Sequence, residues 1–155
     1  RANVDHTKCV GCGRCIGICN FDAVNSPNDE AVDILNKKMT EYAYAVVKDK
    51  PQFHISLICD VSPNCDCHAE NDAPIVPNIG MLASFDMVAL DKACADLVNA
   101  QQPFENSNLG EQIKHNVHEK DNFHINHPDT NWESQIEHGE EIGLGCSDYE
   151  LIEIK

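Results

Sequence analysis

Residues Cys9–Cys19 read Cys-Val-Gly-Cys-Gly-Arg-Cys-Ile-Gly-Ile-Cys, four cysteines separated by two, two and three residues. That spacing is the ligand run of a bacterial-type [4Fe–4S] centre, whose cubane takes thiolates around one small inorganic core. A tight loop brings Cys9, Cys12 and Cys15 together. Gly11 and Gly13 allow the backbone to turn and approach the sulfides with no Cβ in the way. Zinc also accepts four thiolates, but usually as two separated cysteine pairs. The run therefore predicts a [4Fe–4S] cluster with Cys9, Cys12, Cys15 and Cys19 as its candidate ligands.

The flanks agree. Arg1–Asp5 alternates as a short strand would, and Phe21–Val24 suits the next one. Residues 1–24 resemble one half of a two-cluster bacterial ferredoxin, with Asn20 standing where such proteins carry Pro. In that family's geometry the fourth cysteine of a run ligates the other cluster. Whether Cys19 shares an iron cage with Cys15 is thus left open. We expect residues 1–28 to form a ferredoxin-like [4Fe–4S] module, joined to residues 29–155 as part of a larger mixed domain, α+β or α/β in class. A strand-like segment at Arg1 runs straight into the cluster loop, so the chain reads as a fragment whose N-terminal part is missing.

Charge narrows the partners. Lys and Arg number 11 against 26 Asp and Glu, a formal charge of −15 over 155 residues. Phosphate backbones and anionic membranes are repelled by such a surface, so neither nucleic acid nor membrane is expected, while a basic redox protein is attracted. The sequence carries no apolar run of signal-peptide type and none long enough to span a bilayer. Nine cysteines raise the question of a disulfide scaffold. Two cysteines two residues apart are awkward disulfide partners, however, and suit metal ligation. Reduced thiols and a cluster point to the cytoplasm.

Further along, Ala31, Leu35, Met39, Tyr42 and Val46 recur at helical spacing, predicting a helix to about Val47 that turns this stripe to the core. Phe53–Cys59 reads as a strand. Ala69–Ser84 reads as loop, because Pro74 and Pro77 forbid a regular central strand around Val76. A helix over Met87–Asn99 follows, capped by Ser84 or Asp86. Gln101–Asn108 is a polar connection, and Glu111–Asn131 is rich in His and Asn. A helix over Asn131–Glu141 and a final alternating strand over Asp148–Ile154 complete the reading.

A second thiol group, Cys59, Cys65 and Cys67, sits on a strand-to-loop transition. Residues i and i+2 of an extended chain share a side, so Cys65 and Cys67 are candidate metal ligands. Three readings compete. These thiols complete the cluster, or join Cys19 around a second metal centre. Alternatively, Cys65, Cys67 and His68 form a separate mononuclear metal or substrate site. In the third reading they are structural or redox thiols. Cys94 reads as a small buried hydrophobe inside a helix. The pairs His115/His118 and His124/His127 have a spacing that metals use, but read first as an exposed, titrating surface. Trp132 reads as a core anchor or a docking residue.

A longer likeness runs through Lys38–Val47, Val61–His68, Asn71–Gly80, Ala89–Ala93 and the tail Gly143–Ile154. These stretches resemble the iron–sulfur centre proteins carrying domain of unknown function three-sixty-two. The resemblance implies a ferredoxin-like module interrupting a larger α/β domain, with this chain as its C-terminal half and the N-terminal half as a partner. It places Cys65 and Cys67 beside an acidic, Pro-bounded loop. The leading functional expectation is an electron-transfer protein. One alternative is a redox or metal-dependent enzyme with a pocket of Asp66, His68, Asp72 and Asp86. Another is a cluster that only staples the fold. The chain lacks a nucleotide-binding glycine motif, so no dinucleotide is expected.

Overall fold

In the structure, a computed structural model that describes residues 4–5, 7–9, 13–19, 23–24, 32–65, 71–115 and 118–154, helices and strands mix along the chain. They are α1 (Arg14–Gly17), α2 (Val32–Val47), β1 (His54–Ile58), β2 (Gly80–Ser84), α3 (Met87–Asn99), α4 (Asn108–Ile113), α5 (Asn122–Asn126) and α6 (Glu133–Glu141). The chain divides into two units, Arg1–Glu30 and Ala31–Lys155. Among the described residues no helix is long and apolar enough to cross a membrane.

In the first unit, α1 is the one regular element among the described residues, and it buries none of its own side chains. Most of the two strands expected around the thiol run, residues 1–3 and 21–22, lies outside the described residues. So do Asn20 and Gly11.

The second unit is built on a two-stranded antiparallel sheet in which Ile55 pairs with Ala83 and Leu57 with Met81. The stretch read as loop over 69–84 therefore ends in a strand. Pro77 keeps Val76 out of the sheet, but the chain regains extended form three residues later and finds β1 as its partner. Helix α3 lies against the sheet. Ile58, Val76, Val98, Leu109 and Ile125 form the core between sheet, α3 and the short helices. Val76 and Leu109 are wholly buried, each contributing about 1.5–3 kcal/mol by leaving water. Although it lies outside the sheet, the Ile75 backbone is paired: its N–H donates to Val61 O and its carbonyl accepts from Phe104 N–H.

Helix α3 runs over the residues expected of it. Asp86 caps it by accepting from Val88 N and Ala89 N at 2.9 and 3.1 Å. Helix α2 forms where expected, but with a different face inward. Leu35, Met39, Tyr42 and Val46 are exposed, whereas Thr40 is buried. The contact with α6 is made by small and polar groups. Asn36 Nδ2 donates to Asn131 O and Ser134 Oγ, and a Cβ on Gly139 would stand 2.9 Å from Val88 and 3.6 Å from Thr40. Close helix approach wins over burial of the bulky stripe. Helices α4 and α5 were not expected. They are one- to two-turn pieces held by side-chain caps, Ser107 on Gly110 N and Asp121 on Phe123 N and His124 N. The tail 148–154 is not a strand, and Leu151, Ile152 and Ile154 are exposed along it.

Candidate metal centre

The thiol run begins at an Asx turn. Asp5 Oδ1 accepts from Thr7 N–H and Oγ1, and Asp5 O accepts from the N–H groups of Lys8 and Cys9, both at 3.0 Å. These bonds fix the backbone on which Cys9 is presented. Thr7, through its hydroxyl and then its amide, together with Lys8, holds the Asp5 carboxyl below its ordinary value. Gly13 then turns the chain at φ 69°, in the left-handed region, where a side chain costs about 1 kcal/mol or more. Its carbonyl accepts from Ile16 N and Gly17 N to start α1, which carries Cys15. Cys9 and Cys15 are exposed, free thiols. Cys19 is half-buried, and its Sγ accepts from Ala23 N–H at 3.4 Å. Amide-to-sulfur bonds of this kind tune the sulfur ligands of iron–sulfur centres.

Cys12 lies outside the described residues. Among the described residues no three His, Cys, Asp or Glu side chains gather into a group that would hold a single metal ion. The donor chemistry nonetheless fits an iron–sulfur core. Soft thiols sit on a glycine turn, and Cys9 and Cys15 are committed to no disulfide.

In the second unit, Cys59 is half-buried at the end of β1 and Cys65 is exposed. Cys67, Asp66 and His68 lie outside the described residues. The loop leading to Cys65 is held from a distance. Pro63 O accepts from Asn126 Nδ2 and from His127 Nε2, residues 63 and 64 positions away. A carbonyl only accepts, so Nε2 of His127 carries the hydrogen. The same logic fixes the Asn126 amide, and its Oδ1 is left buried without a partner among the described residues. Nothing in the sequence marks this clamp, because its two sides are joined only by the fold.

The pocket expected from Asp66, His68, Asp72 and Asp86 is not assembled by its described members. Asp72 Oδ1 accepts from Ala73 N–H next to it. Asp86 is occupied as the α3 cap and as the acceptor for Cys146 N at 2.8 Å. Partial desolvation raises the carboxyl of Asp91, with His54 opposing, but the residue as a whole is exposed, so the effect is small. Asp91 borders two open cavities of about 180 and 210 Å³. Both fall below the ~300–1,000 Å³ of usual small-molecule sites. Burial also pushes the Cys94 thiol up, against a hydrogen bond with Ser56, as a structural rather than reactive thiol requires. Trp132 is half-buried beside the core rather than in it: its Nε1 donates to Asp121, its ring lies 6.0 Å from that of Phe123, and Lys92 sits over its face.

No curated protein and no solved structure matches the chain. The sequence profile described as Domain of unknown function (DUF362) matches residues 6–96. That span, more than half the chain, takes in the thiol run, α2, both strands and most of α3, and on it the chain belongs to the DUF362 family.

Proposed function

We propose that the chain is an iron–sulfur protein in which Cys9, Cys12 and Cys15 hold a [4Fe–4S] cluster that passes single electrons to or from a basic partner protein. The observation that carries this is the thiol run itself, spaced by two, two and three residues about a left-handed Gly13. The exposure of Cys9 and Cys15 supports it, since an electron-transfer centre needs an approachable edge. The formal charge of −15 supports a cationic partner. Cys19 is the candidate fourth ligand of this cage.

One feature favours a structural role for the cluster alongside the redox one. The described residues of the first unit contribute nothing to the buried core. A segment of 30 residues has too little apolar surface to fold unaided. Metal–thiolate bonds then supply the folding free energy.

Anaerobic purification with iron, sulfide and zinc analysis is the test. About four irons per chain means one cubane and about eight means two. Iron-free material holding zinc or sulfur–sulfur bonds refutes the proposal. A reversible EPR signal on dithionite reduction supports electron transfer, whereas a centre silent to reductant leaves the structural role alone. Replacing Cys65 and Cys67 by Ser removes them from coordination if iron content and spectrum stay unchanged.

A further inference from the structure

The sheet of the second unit is inside out. Strand residues alternate between two faces, and an antiparallel sheet with one wet side ordinarily keeps its apolar residues inward. Here the face against α3 carries His54, Ser56 and Ser84 beside Ile58 and Leu82, and Ser56 bonds to Cys94 of that helix. The opposite face carries Phe53, Ile55 and Leu57 along one strand and Met81, Ala83 and Phe85 along the other. It bears no charge. Its large side chains are 57–76% exposed. They form one surface, because Leu57 pairs with Met81, Ile55 with Ala83, and the Phe53 and Phe85 rings lie 5.1 Å apart.

These exposures amount to about 700 Å² of contiguous apolar area, above the roughly 300–600 Å² of the largest patch on a typical monomer. The same area is close to the ~800 Å² that each partner gives to a standard protein interface. We infer that this face is the contact surface of a symmetric dimer, in which the sheets of two copies of the chain pack face to face.

Shape argues for a second copy as the occupant. Ala83 is the one small side chain of this face, set between Met81 and Phe85 with the bulkier Ile55 beside it, so a neighbour's Ile55 finds room there. A two-fold axis lying between the sheets and along the strands sets β1 of one copy over β2 of the other. Each Ile55 then meets Ala83 of the second copy, and each Leu57 meets the other copy's Met81. Sheets packed this way sit about 10 Å apart. The six residues of this face carry none of the chain's formal charge of −15, so no ion pair or like-charge contact is set within it.

The test is the mass in solution of the full chain by light scattering and sedimentation across protein concentration and salt. The expected species is twice 17.2 kDa, its dissociation constant falling as salt screens the net charge of the two copies. Leu57→Asp is expected to weaken pairing by about 100-fold or more, since it buries unpaired charge, and to leave far-UV circular dichroism unchanged. Ala83→Ile alone fills the room at that position and is expected to weaken pairing. Ile55→Ala with Ala83→Ile exchanges the large and small side chains and is expected to restore it. A chain that stays monomeric at all concentrations, a dimer that survives Leu57→Asp, or a ladder of larger species overturns the inference.

Discussion

Asp121→Asn changes one oxygen into an amide nitrogen, and the surroundings of that carboxylate make the change costly. Oδ1 caps α5, accepting from Phe123 N at 2.8 Å and His124 N at 3.0 Å. Oδ2 accepts from Trp132 Nε1 at 2.8 Å and Asn99 Nδ2 at 3.1 Å, tying α3 and the start of α6 to α5. At an ordinary N-cap Asn and Asp are nearly equivalent. Here an Asn must turn its NH₂ either toward Trp132 and Asn99, which are donors, or toward the α5 amides, which are donors too. Two bonds to a charged acceptor are lost in either case. Each is worth about 1.5–3 kcal/mol when buried. Asp121 is partly exposed, so water recovers part, and about 2 kcal/mol remains. For a domain of this size that lowers Tm by about 4–8 °C. Thermal unfolding followed by fluorescence is the assay, because Trp132 is the sole tryptophan and reports this contact directly. Acid adds a second readout. Desolvation raises the Asp121 carboxyl, but bonds from His124, Trp132, Phe123 and Asn99 outweigh it and hold it below its ordinary value. With the folded value depressed, the unfolded chain binds the proton first, so this contribution is whole above about pH 4 and is lost as pH falls through the folded value. The gap between wild type and variant therefore closes on acidification below about pH 4. A variant that melts within a degree of wild type with unchanged tryptophan emission would refute the hub.

Asp86→Ala removes the α3 cap and the bond to Cys146 N, a loss of about 2 kcal/mol, whereas Asp86→Asn keeps the cap and loses about 0.5–1 kcal/mol. Urea titration separates the two, and iron content is expected to be equal in both. Gly110→Ala drives a Cβ to 2.2 Å from Phe104 O and 2.7 Å from Glu105 O, backbone atoms that cannot step aside. We expect a loss of about 2–3 kcal/mol, read as a lower urea midpoint at unchanged slope. Gly13→Ala forces a side chain into the left-handed region and is expected to lower iron occupancy after anaerobic reconstitution, with the unfolding of residues 31–155 unaffected.

What the sequence disclosed follows how local each signal is. The α3 stretch was legible because its apolar period and the Asp86 cap lie within a few residues of one another. β1 was legible for the same reason. β2 was hidden, because Gly80–Ser84 follows a proline pair and becomes a strand only by pairing with residues some 25 positions earlier. The α2 stripe misled, since periodicity finds an apolar face but not the small residues, Thr40 and Gly139, that let two helices close on another one. Ser107 and Asp121 cap α4 and α5, but these helices are too short to show a period. The tail 148–154 has a strand's alternation and no neighbouring strand among the described residues. As for the site, the thiol spacing is plain on the page, while the clamp on Pro63 joins residues no local pattern connects.

That clamp sets an order of events during synthesis. The contacts of Asp5, Gly13 and the first turn of α1 that present the backbone of Cys9 and Cys15 span only a few residues. The loop before Cys65 has local bonds from Asn71 to Ser62 and Asn64, and gains those from Asn126 and His127 more than 60 residues later, a delay of several seconds at about 5–20 residues per second. The two stretches of backbone that present Cys15 and Cys65 are thus completed in sequence, the amino-terminal one first.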